Sequence, residues 1–263
     1  MTPIVSVLTT SYNQIGTISK AIDSVLMQKT NFDYELIIVD DGSIDGSVEK
    51  LIELRNNFPD KIKLILNEHK GILNTYKVGF SNCTAKYIAL CDGDDYWTDP
   101  LKLQKQVEFM DINLAYAACF AAVTDKHGKK IDVPKRIDYN MLLRSGYSMT
   151  QTILFRRTWL GTYLEINKKN FFDWAYPFFL LMTLYSDIYR FDDIMGVYNK
   201  GDETFTCTKK RSRRLRYILG MARIRFYFLR KYSSENGIIS YTIYRFVRDM
   251  ISLILGRWKS KES

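Results

Sequence analysis

Cysteine, histidine, glycine and proline are all scarce in this chain of 263 residues. Its four cysteines form no CxxC pair and follow no regular spacing, which indicates free thiols in a reducing cytosol. The two histidines, His69 and His127, are too few for a histidine-rich metal site, and both are expected in exposed positions. Glycine and proline together number 19, which excludes a fibrous or linker-like chain.

Long apolar runs and glycine-rich phosphate loops are also missing. No 18 apolar residues follow one another, so no membrane-spanning helix is expected. The residues before the first apolar run, Met1 to Pro3, lack the basic start of a signal peptide, so we expect a cytoplasmic protein. Neither GxxxxGK(S/T) nor GxGxxG follows the first predicted strand, which argues against a P-loop or a Rossmann dinucleotide site.

Positive charge is concentrated at one end of the chain. Residues 209–263 contain 15 Lys and Arg against three acidic residues, a balance of +12, whereas the first 208 residues carry −3. The overall composition, 46% hydrophobic and 25% charged, is ordinary for a globular protein of one large domain or two small ones. Such a basic tail predicts an anionic partner: a membrane surface, a nucleic acid or an acidic polymer.

The first hundred residues alternate between short apolar β-branched runs and segments with helical spacing of apolar residues. This alternation predicts an α/β fold with a mainly parallel central sheet flanked by helices. The predicted strands are 4–9, 34–39, 61–66 and 86–91, and the predicted helices are 15–28, 43–58 and 71–81.

The pattern changes near residue 97. Beyond this point, two further helices are predicted at 101–110 and 173–185, and four strands or strand-like pieces at 115–123, 152–155, 188–191 and 196–198. We therefore expect a nucleotide-binding half (1–97) and an acceptor-binding half (98–208), followed by the tail (209–263). The tail is predicted to form two amphipathic helices, separated near residues 233–237, that lie in a membrane interface.

Polar residues follow three of the predicted strands. Thr10 to Asn13 follow the first, Asp40 and Asp41 the second, and Asp92, Asp94 and Asp95 the fourth. Parallel strands bring their carboxyl ends to one edge, where ligands bind. Clustered carboxylates repel one another unless a cation compensates, and Mg²⁺ and Mn²⁺ bind a few carboxylates together with substrate phosphates. The cluster therefore predicts a metal and nucleotide diphosphate site.

Acidic residues after a strand can also cap the next helix or stabilise a turn. For Asp45 and Asp99 we favour this interpretation, since Asp99 precedes Pro100 as an N-cap precedes a proline at the first helical position. For Asp92 and Asp94 it remains an alternative.

Four segments of the chain resemble the inverting glycosyltransferases of family 2, which have the GT-A fold, and especially those of bacterial surface polysaccharide synthesis. The resemblance is strong over 3–110 and weak over 148–200. Its segments are IVSVLTTSYN (4–13), ELIIVDDGSIDGS (35–47), NEHKGILNTYKVGF (67–80) and KYIALCDGDDYWTDPLKLQKQV (86–107).

The resemblance implies roles for individual residues. Tyr12 would stack on the base with Thr10 beside it, and Asp41 would accept the N3–H of uracil. Asp92, towards the ribose and the metal, and Asp94, on the metal, would form the DxD motif that holds Mn²⁺ or Mg²⁺.

Two aromatic residues follow this motif. Tyr96 and Trp97 would wall the sugar pocket, although both could equally be core residues.

The resemblance also implies a general base at Asp173, because family members carry an acidic residue at the start of a helix there, and Asp173 opens the helix predicted at 173–185. It would take the proton of the acceptor hydroxyl in a single, inverting displacement. The alternative is that Asp173 serves only as a helix N-cap, where aspartate is favoured in any case.

One part of the family pattern is missing. Relatives often carry a histidine after the strand that ends here at Tyr198, whereas this chain continues Asn199-Lys200-Gly201-Asp202. Lys200, Lys70, or Lys209 and Lys210 could supply the positive charge for the leaving group instead.

We therefore predict a metal-dependent inverting hexosyl- or N-acetylhexosaminyltransferase. Its donor would be a UDP-sugar and its acceptor a lipid-linked saccharide, reached at the cytoplasmic face of the membrane through the tail; no nucleic acid partner is expected. One alternative is an inactive GT-A-like protein whose tail binds a membrane or nucleic acid. A nucleotidyltransferase is less well supported, because residues 11–14 are not a glycine-rich loop with Arg and Lys.

Overall fold

The computed structural model describes residues 2–145, 150–169, 171–199, 211–232 and 236–254. Contacts between residues divide the chain into two compact units. The first unit contains the described residues of 1–137, 149–161 and 185–199, and the second contains those of 138–148, 162–184 and 200–263. The expected functional division at residues 97 and 208 stays a prediction.

The first unit contains all the strands and four helices of the described chain. They are β1 (Val5–Ser11), α1 (Ile18–Leu26), β2 (Tyr34–Asp40), α2 (Ser47–Asn57), β3 (Ile62–Leu66), α3 (Ile72–Asn82), β4 (Tyr87–Leu90), β5 (Tyr96–Trp97), α4 (Lys102–Ile112), β6 (Ala118–Asp125), β7 (Arg136–Ile137), β8 (Leu154–Arg156) and β9 (Ile188–Tyr198).

These strands form one sheet, with the order β3-β2-β1-β4-β8-β6-β9-β5 and with β7 paired to β9. The strands β3, β2, β1 and β4 run parallel, as do β6 and β9. The pairs β4–β8, β6–β8, β5–β9 and β7–β9 are antiparallel. Most of the paired residues belong to parallel pairs, which confirms the prediction of an α/β fold with a mainly parallel sheet.

The core of this unit lies between the sheet and its helices. Strands β1 and β4 are buried along their whole length, as expected of parallel strands covered on both faces. Helix α3 lies so close to β1 that a Cβ on Gly79 would approach Cδ1 of Leu8 to 2.4 Å. Helix α1 buries Ile18, Ile22 and Val25 at helical spacing.

Acidic side chains stabilise the turns before α2 and α4. Helix α2 begins at Ser47 instead of residue 43, because the Asp40 carboxylate accepts the N–H and hydroxyl of Ser43 and holds a turn there. Asp45 accepts the N–H of Ser47, although Gly46 occupies the N-cap position. Asp99 likewise accepts the N–H of Leu101 just before α4. Both acids therefore stabilise helix starts, as predicted, without being the N-cap itself.

The second unit is helical. It contains α5 (Tyr139–Ser145), the end of α6 (Leu160–Asn167), α7 (Ala175–Thr183), α8 (Arg211–Tyr232) and α9 (Asn236–Ile254). Among the described residues, no helix combines the length and the apolar character that crossing a bilayer requires.

Two buried arginines hold the predicted tail helices to α5 and α7. Arg225 of α8 donates to the carbonyl of Leu143 at 3.1 Å and to the hydroxyl of Tyr176 at 3.2 Å. Arg245 of α9 donates to the carbonyl of Arg144. Helices are thus present where the sequence predicts them, and they pack within the second unit.

Candidate active site

The carboxyl ends of β1, β2 and β4 meet at one edge of the sheet. Ser11 at the end of β1 pairs with Asp40 at the end of β2, and the N–H of Asp41 donates to the carbonyl of Ser11 at 2.9 Å. Beyond β4, the N–H of Gly93 donates to the carbonyl of Thr10 at 3.0 Å. The parallel topology therefore brings together the three polar clusters predicted from the sequence.

Asp92 is held by hydroxyl groups from several segments. Its Oδ1 accepts from Thr10 Oγ1 at 3.1 Å and from the hydroxyl of Tyr76, and Thr150 also donates to its carboxylate. Burial raises the pKa of Asp92, and these hydrogen bonds oppose the rise. Thr10, expected beside a base, is thus a partner of Asp92.

Burial and neighbouring carboxylates raise the pKa values of Asp94 and Asp95. Burial, followed by the charge of Asp92, raises the pKa of Asp94 to about 6. Burial and the charges of Asp94 and Asp92 raise the pKa of Asp95 well above its usual value, while its Oδ1 accepts the N–H of Asn199 at 2.8 Å. Ionised carboxylates so close to one another are costly, and a cation bound to Asp92 and Asp94 would lower this cost.

The carboxylates of the site fit a cation that takes some of its ligands from the protein and the rest from a substrate. In the described ranges, no three or more His, Cys, Asp or Glu side chains are grouped to hold a metal. Asp92 and Asp94 offer two carboxylates, and Mg²⁺ and Mn²⁺ commonly take one or two, with substrate phosphates in the remaining positions. Ser11 Oγ and Gln14 Oε1 are buried here without a hydrogen-bond partner among the described residues. The residues present fit such a metal and a polar ligand.

Glycine is required between the two carboxylates of the DxD motif. A Cβ on Gly93 would lie 2.2 Å from Gln14 Oε1 and 2.9 Å from the carbonyl oxygen of Thr10. The backbone of Thr10 cannot move away, because it already accepts the N–H of Gly93. This close approach fixes the positions of Asp92 and Asp94 beside β1.

Asp41 organises the loop after β3. Its buried carboxylate accepts the N–H of Lys70 at 3.0 Å and that of Gly71 at 2.9 Å. Nδ1 of His69 lies 2.8 Å from Asp41 Oδ2, and the His69 ring stacks on Tyr12 with 4.3 Å between ring centroids. The sequence predicted an exposed His69 with no role. The structure keeps it exposed but gives it two partners in the site.

The two aromatic residues after the DxD motif differ in exposure. Trp97 is only 2% exposed, and its Nε1 donates to the carbonyl of Gln151 at 2.8 Å. Its ring faces the buried ammonium of Lys102 at 3.9 Å, and burial lowers the pKa of Lys102 to about 7. Trp97 is therefore a core residue, as the alternative interpretation held. Tyr96 is half-buried under Nζ of Lys20 at 3.6 Å, and its place in a sugar pocket stays a prediction.

Asp173 belongs to the second unit, where it precedes α7. The helix begins at Ala175 with Trp174 in the N-cap position, two residues later than predicted. The Asp173 carboxylate accepts the N–H of Ala175 at 2.9 Å, and burial raises its pKa. Asp173 thus stabilises the start of the helix, and its role as a base stays a prediction.

The lysines expected to assist the leaving group are only partly described. Lys70 is exposed, with its Nζ 3.4 Å from Glu68 Oε2, and its backbone N–H donates to the Asp41 carboxylate. Lys200, Lys209 and Lys210 lie outside the described residues.

Solved structures share this fold. TarS from S. aureus in complex with UDP-GlcNAc superposes with a TM-score of 0.69 at 16% identity, covering 96% of this chain and 73% of TarS. The mannosyltransferase PcManGT from Pyrobaculum calidifontis, in complex with GDP-Man and Mn²⁺, gives a TM-score of 0.64 at 14% identity, covering 98% and 71%. At these identities the likeness shows the fold alone, and the fold is GT-A.

Sequence relatives include a named glucosyltransferase and an uncharacterized protein. The Escherichia coli protein WfgD, a UDP-Glc:alpha-D-GlcNAc-diphosphoundecaprenol beta-1,3-glucosyltransferase, is 30% identical over 177 residues, which are 65% of this chain and 68% of WfgD. An uncharacterized protein of Mycobacterium tuberculosis is 34% identical over 161 residues, or 58% of this chain. The chain spans about half the length of that relative, 46%.

The family profile described as Glycosyl transferase family 2 matches residues 6–179. That range includes Thr10, Asp41, Asp92 and Asp94 of the sheet edge, and it spans well over half of the chain. With the GT-A sheet and the clustered carboxylates at its edge, it shows that the chain belongs to glycosyl transferase family 2.

Proposed function

We propose that the chain is a metal-dependent, inverting glycosyltransferase that moves a sugar from a UDP-sugar to a lipid-linked saccharide in surface polysaccharide synthesis. One observation carries the proposal. Asp92 and Asp94, a carboxylate pair with raised pKa values, lie at the same sheet edge as Tyr12 and Asp41 in a family 2 chain.

In the proposed donor site, the base of the nucleotide binds to Tyr12 and Asp41. An aromatic face and a buried carboxylate oxygen suit a flat base with an N–H in its plane, and uracil N3–H meets this requirement. The name of WfgD specifies UDP-Glc, and the TarS structure contains UDP-GlcNAc. Both support a UDP-sugar here, while the sugar itself is left open.

Asp94, with Asp92 behind it, would hold Mn²⁺ or Mg²⁺. A bound divalent cation supplies positive charge to the diphosphate leaving group. Thr10 and Tyr76 donate to Oδ1 of Asp92 and so hold this carboxylate in place beside β1. The Mn²⁺ in the PcManGT complex supports this use of the GT-A fold.

Asp173 is the proposed general base. Its pKa is raised by burial, and a carboxylate accepts a proton more readily as its pKa approaches the working pH. It would take the proton of the acceptor hydroxyl while the oxygen attacks the anomeric carbon and the bond to the diphosphate breaks. One such displacement inverts the anomeric centre.

The acceptor side of the proposal rests on α9. Its residues Ile243, Val247, Ile251 and Ile254 are between 47% and 63% exposed, at the spacing of one helical face. On another side of the same helix, Arg245 is buried and pairs with Asp249 at 3.9 Å. An apolar face directed outward, with a charged residue inside, suits a helix that lies in a membrane interface.

Helix α8 adds positive charge to an exposed apolar stripe. Leu215, Leu219 and Phe226 are exposed at the spacing of one helical face, and Arg216 and Arg230 are exposed beside them. Each basic residue near an anionic surface contributes about 1 kcal/mol to binding. We therefore propose that α8 and α9 hold the enzyme at the inner membrane face, where a lipid-linked acceptor is presented; the name of WfgD includes such an acceptor.

The donor proposal is tested by thermal unfolding with UDP, GDP, dTDP, CMP and NAD, each with and without Mn²⁺. A ligand at about 100 times its Kd stabilises the folded state by about 2.7 kcal/mol, a measurable rise in Tm. We expect a Mn²⁺-dependent rise with UDP alone. A rise with GDP or dTDP instead would contradict the UDP assignment, and a rise with NAD alone would contradict a transferase.

The membrane proposal is tested by sedimentation with phosphatidylglycerol vesicles. We expect the full chain to sediment with them and the double variant Val247→Glu, Ile251→Glu to remain in solution. The matched control is Ile112→Glu with Leu114→Glu, which adds the same charge at two exposed apolar positions of the first unit. Binding to duplex DNA but not to vesicles would instead favour the alternative, an inactive protein with a nucleic acid partner.

A further inference from the structure

His69 occupies the two contacts that the proposed base would use. Its imidazole lies on the Tyr12 ring at 4.3 Å between centroids, with 17° between the ring planes. Its Nδ1 lies 2.8 Å from Asp41 Oδ2 and 3.1 Å from the Asp41 carbonyl oxygen. A flat ring with an in-plane N–H thus already stacks on the tyrosine and donates to the aspartate.

The backbone around His69 is fixed independently of its side chain. The N–H groups of Lys70 and Gly71 donate to the two oxygens of Asp41. A Cβ on Gly42 would lie 2.8 Å from the backbone N of His69, so the two loops are packed as closely as glycine allows. The His69 ring can therefore rotate away without breaking the hydrogen bonds that hold its loop.

The side chain itself is exposed on its outer side. It is 56% exposed, whereas that of Asp41 is only 4% exposed, so His69 approaches the site from the solvent. There is no room for a second ring between two rings whose centroids are 4.3 Å apart, because a ligand inserted there would need about twice the stacking distance. A base that binds this face of Tyr12 must first displace the imidazole.

We infer that His69 is an internal occupant of the base site and that the donor base replaces it on Tyr12 and Asp41. The inference rests on the proposed function, since it takes those two residues as the base site. The ligand class it defines is a planar base with an in-plane N–H donor, as in a uridine nucleotide. The apparent Kd for the nucleotide is raised because only molecules with His69 turned away can bind.

The test compares Kd for UDP, with Mn²⁺ present, in the wild-type chain and in His69→Ala by titration calorimetry. If His69 occupies the site in about two thirds of molecules, its removal lowers Kd about threefold. The control is His127→Ala, because His127 is the other histidine of the chain and lies in an exposed turn of the same unit. The Kd of His127→Ala for UDP should equal that of the wild type.

Other outcomes separate the inference from the proposed function. Equal Kd values in His69→Ala and wild type would overturn the inference alone. A higher Kd in His69→Ala would also overturn it, because the imidazole would then contact the bound base. If UDP bound to none of the three proteins, the proposed donor would fail and the inference would fail with it.

Proton NMR supplies a second readout, because the chain has two histidines and the His127→Ala spectrum identifies the signal of His69. Stacking on Tyr12 shifts the His69 ring protons upfield. We expect UDP to move them downfield, to the position of an exposed histidine. A further upfield shift would mean that the base stacks on the outer face of His69, and it would overturn displacement.

Discussion

The hydroxyl of Tyr76, on α3, donates to Oδ1 of Asp92, the first carboxylate after β4. Tyr76 is buried and Asp92 half-buried, and burial together with the charge of Asp92 raises the pKa of the tyrosine. A tyrosine that keeps its proton is a permanent donor, so Asp92 is held in one orientation. Helix α3 therefore positions the carboxylate that we place towards the metal and the ribose.

Replacing this tyrosine should weaken both the fold and the site. Tyr76→Phe leaves the buried Asp92 oxygen with fewer donors, and we expect a loss of about 1–3 kcal/mol in the free energy of unfolding. The pKa of Asp92 should rise further, so Mn²⁺-dependent UDP binding should be lost at a higher pH than in wild type. Urea unfolding and calorimetry measure the two effects.

Tyr87→Phe is the matched control. Its hydroxyl also donates to an aspartate, Asp111 at 2.6 Å, but that aspartate is half exposed and pairs with Lys86. A smaller stability loss and unchanged UDP binding are expected. Equal effects of the two substitutions on UDP binding would show that Tyr76 has only a structural role.

Removing the charge of Asp94 should abolish metal-dependent nucleotide binding. Asp94→Asn keeps the size of the side chain but replaces one carboxylate ligand with a weaker neutral oxygen. Calorimetry with UDP and Mn²⁺ should detect no Mn²⁺-dependent binding, whereas Asp99→Asn, at the start of α4, should bind as wild type. Unchanged affinity in Asp94→Asn would remove Asp94 from the site.

The raised pKa of Asp94 predicts an opposite pH dependence for the free and the metal-bound protein. The pKa is about 6 in the folded chain, above the unfolded value near 3.9, so its contribution to stability is present at low pH and is lost as pH rises through 6. Metal binding requires the ionised carboxylate. The rise in Tm caused by Mn²⁺ and UDP should therefore be larger at pH 7.5 than at pH 5. An equal rise at both pH values would contradict the role of Asp94.

Asp173→Asn should separate donor binding from transfer. The UDP affinity should stay at the wild-type value, and transfer should fall by about 10²–10⁴-fold, the usual contribution of a general base. Asp138→Asn is the control, because Asp138 accepts the N–H of Met141 at the start of α5 much as Asp173 accepts that of Ala175. If both variants transfer at the same rate, the base lies elsewhere.

Much of the fold could be predicted because short sequence patterns indicate its strands and helices. The strands β1 to β4 are contiguous apolar runs separated by helical spacing, and parallel strands bring the residues that follow them to one edge. This reasoning placed Asp41, Asp92 and Asp94 correctly relative to the sheet. It failed at the start of α2, where the Asp40 side chain takes the Ser43 N–H in place of a helical hydrogen bond.

The partners of these residues could not be predicted, because they come from distant parts of the chain. Tyr76 reaches Asp92 from another element, and His69 reaches Tyr12 across 57 positions of sequence. A pattern of hydrophobicity shows which face of α3 is buried, but not which buried hydroxyl meets a carboxylate. Trp97 illustrates the same limit, since the sequence does not show that its indole packs against Lys102.

The proposed membrane binding of the second unit would combine two attractions with opposite responses to salt, one from the exposed apolar face of α9 and one from the exposed arginines of α8. Sodium chloride shortens the Debye length from about 10 Å at 0.1 M to about 3 Å at 1 M and so should weaken the attraction of Arg216 and Arg230 to anionic lipid. Ammonium sulfate should instead strengthen the association of Val247, Ile251 and their neighbours with any apolar surface. On this proposal, the choice of anion decides whether extraction from cells disperses this protein or drives its copies together.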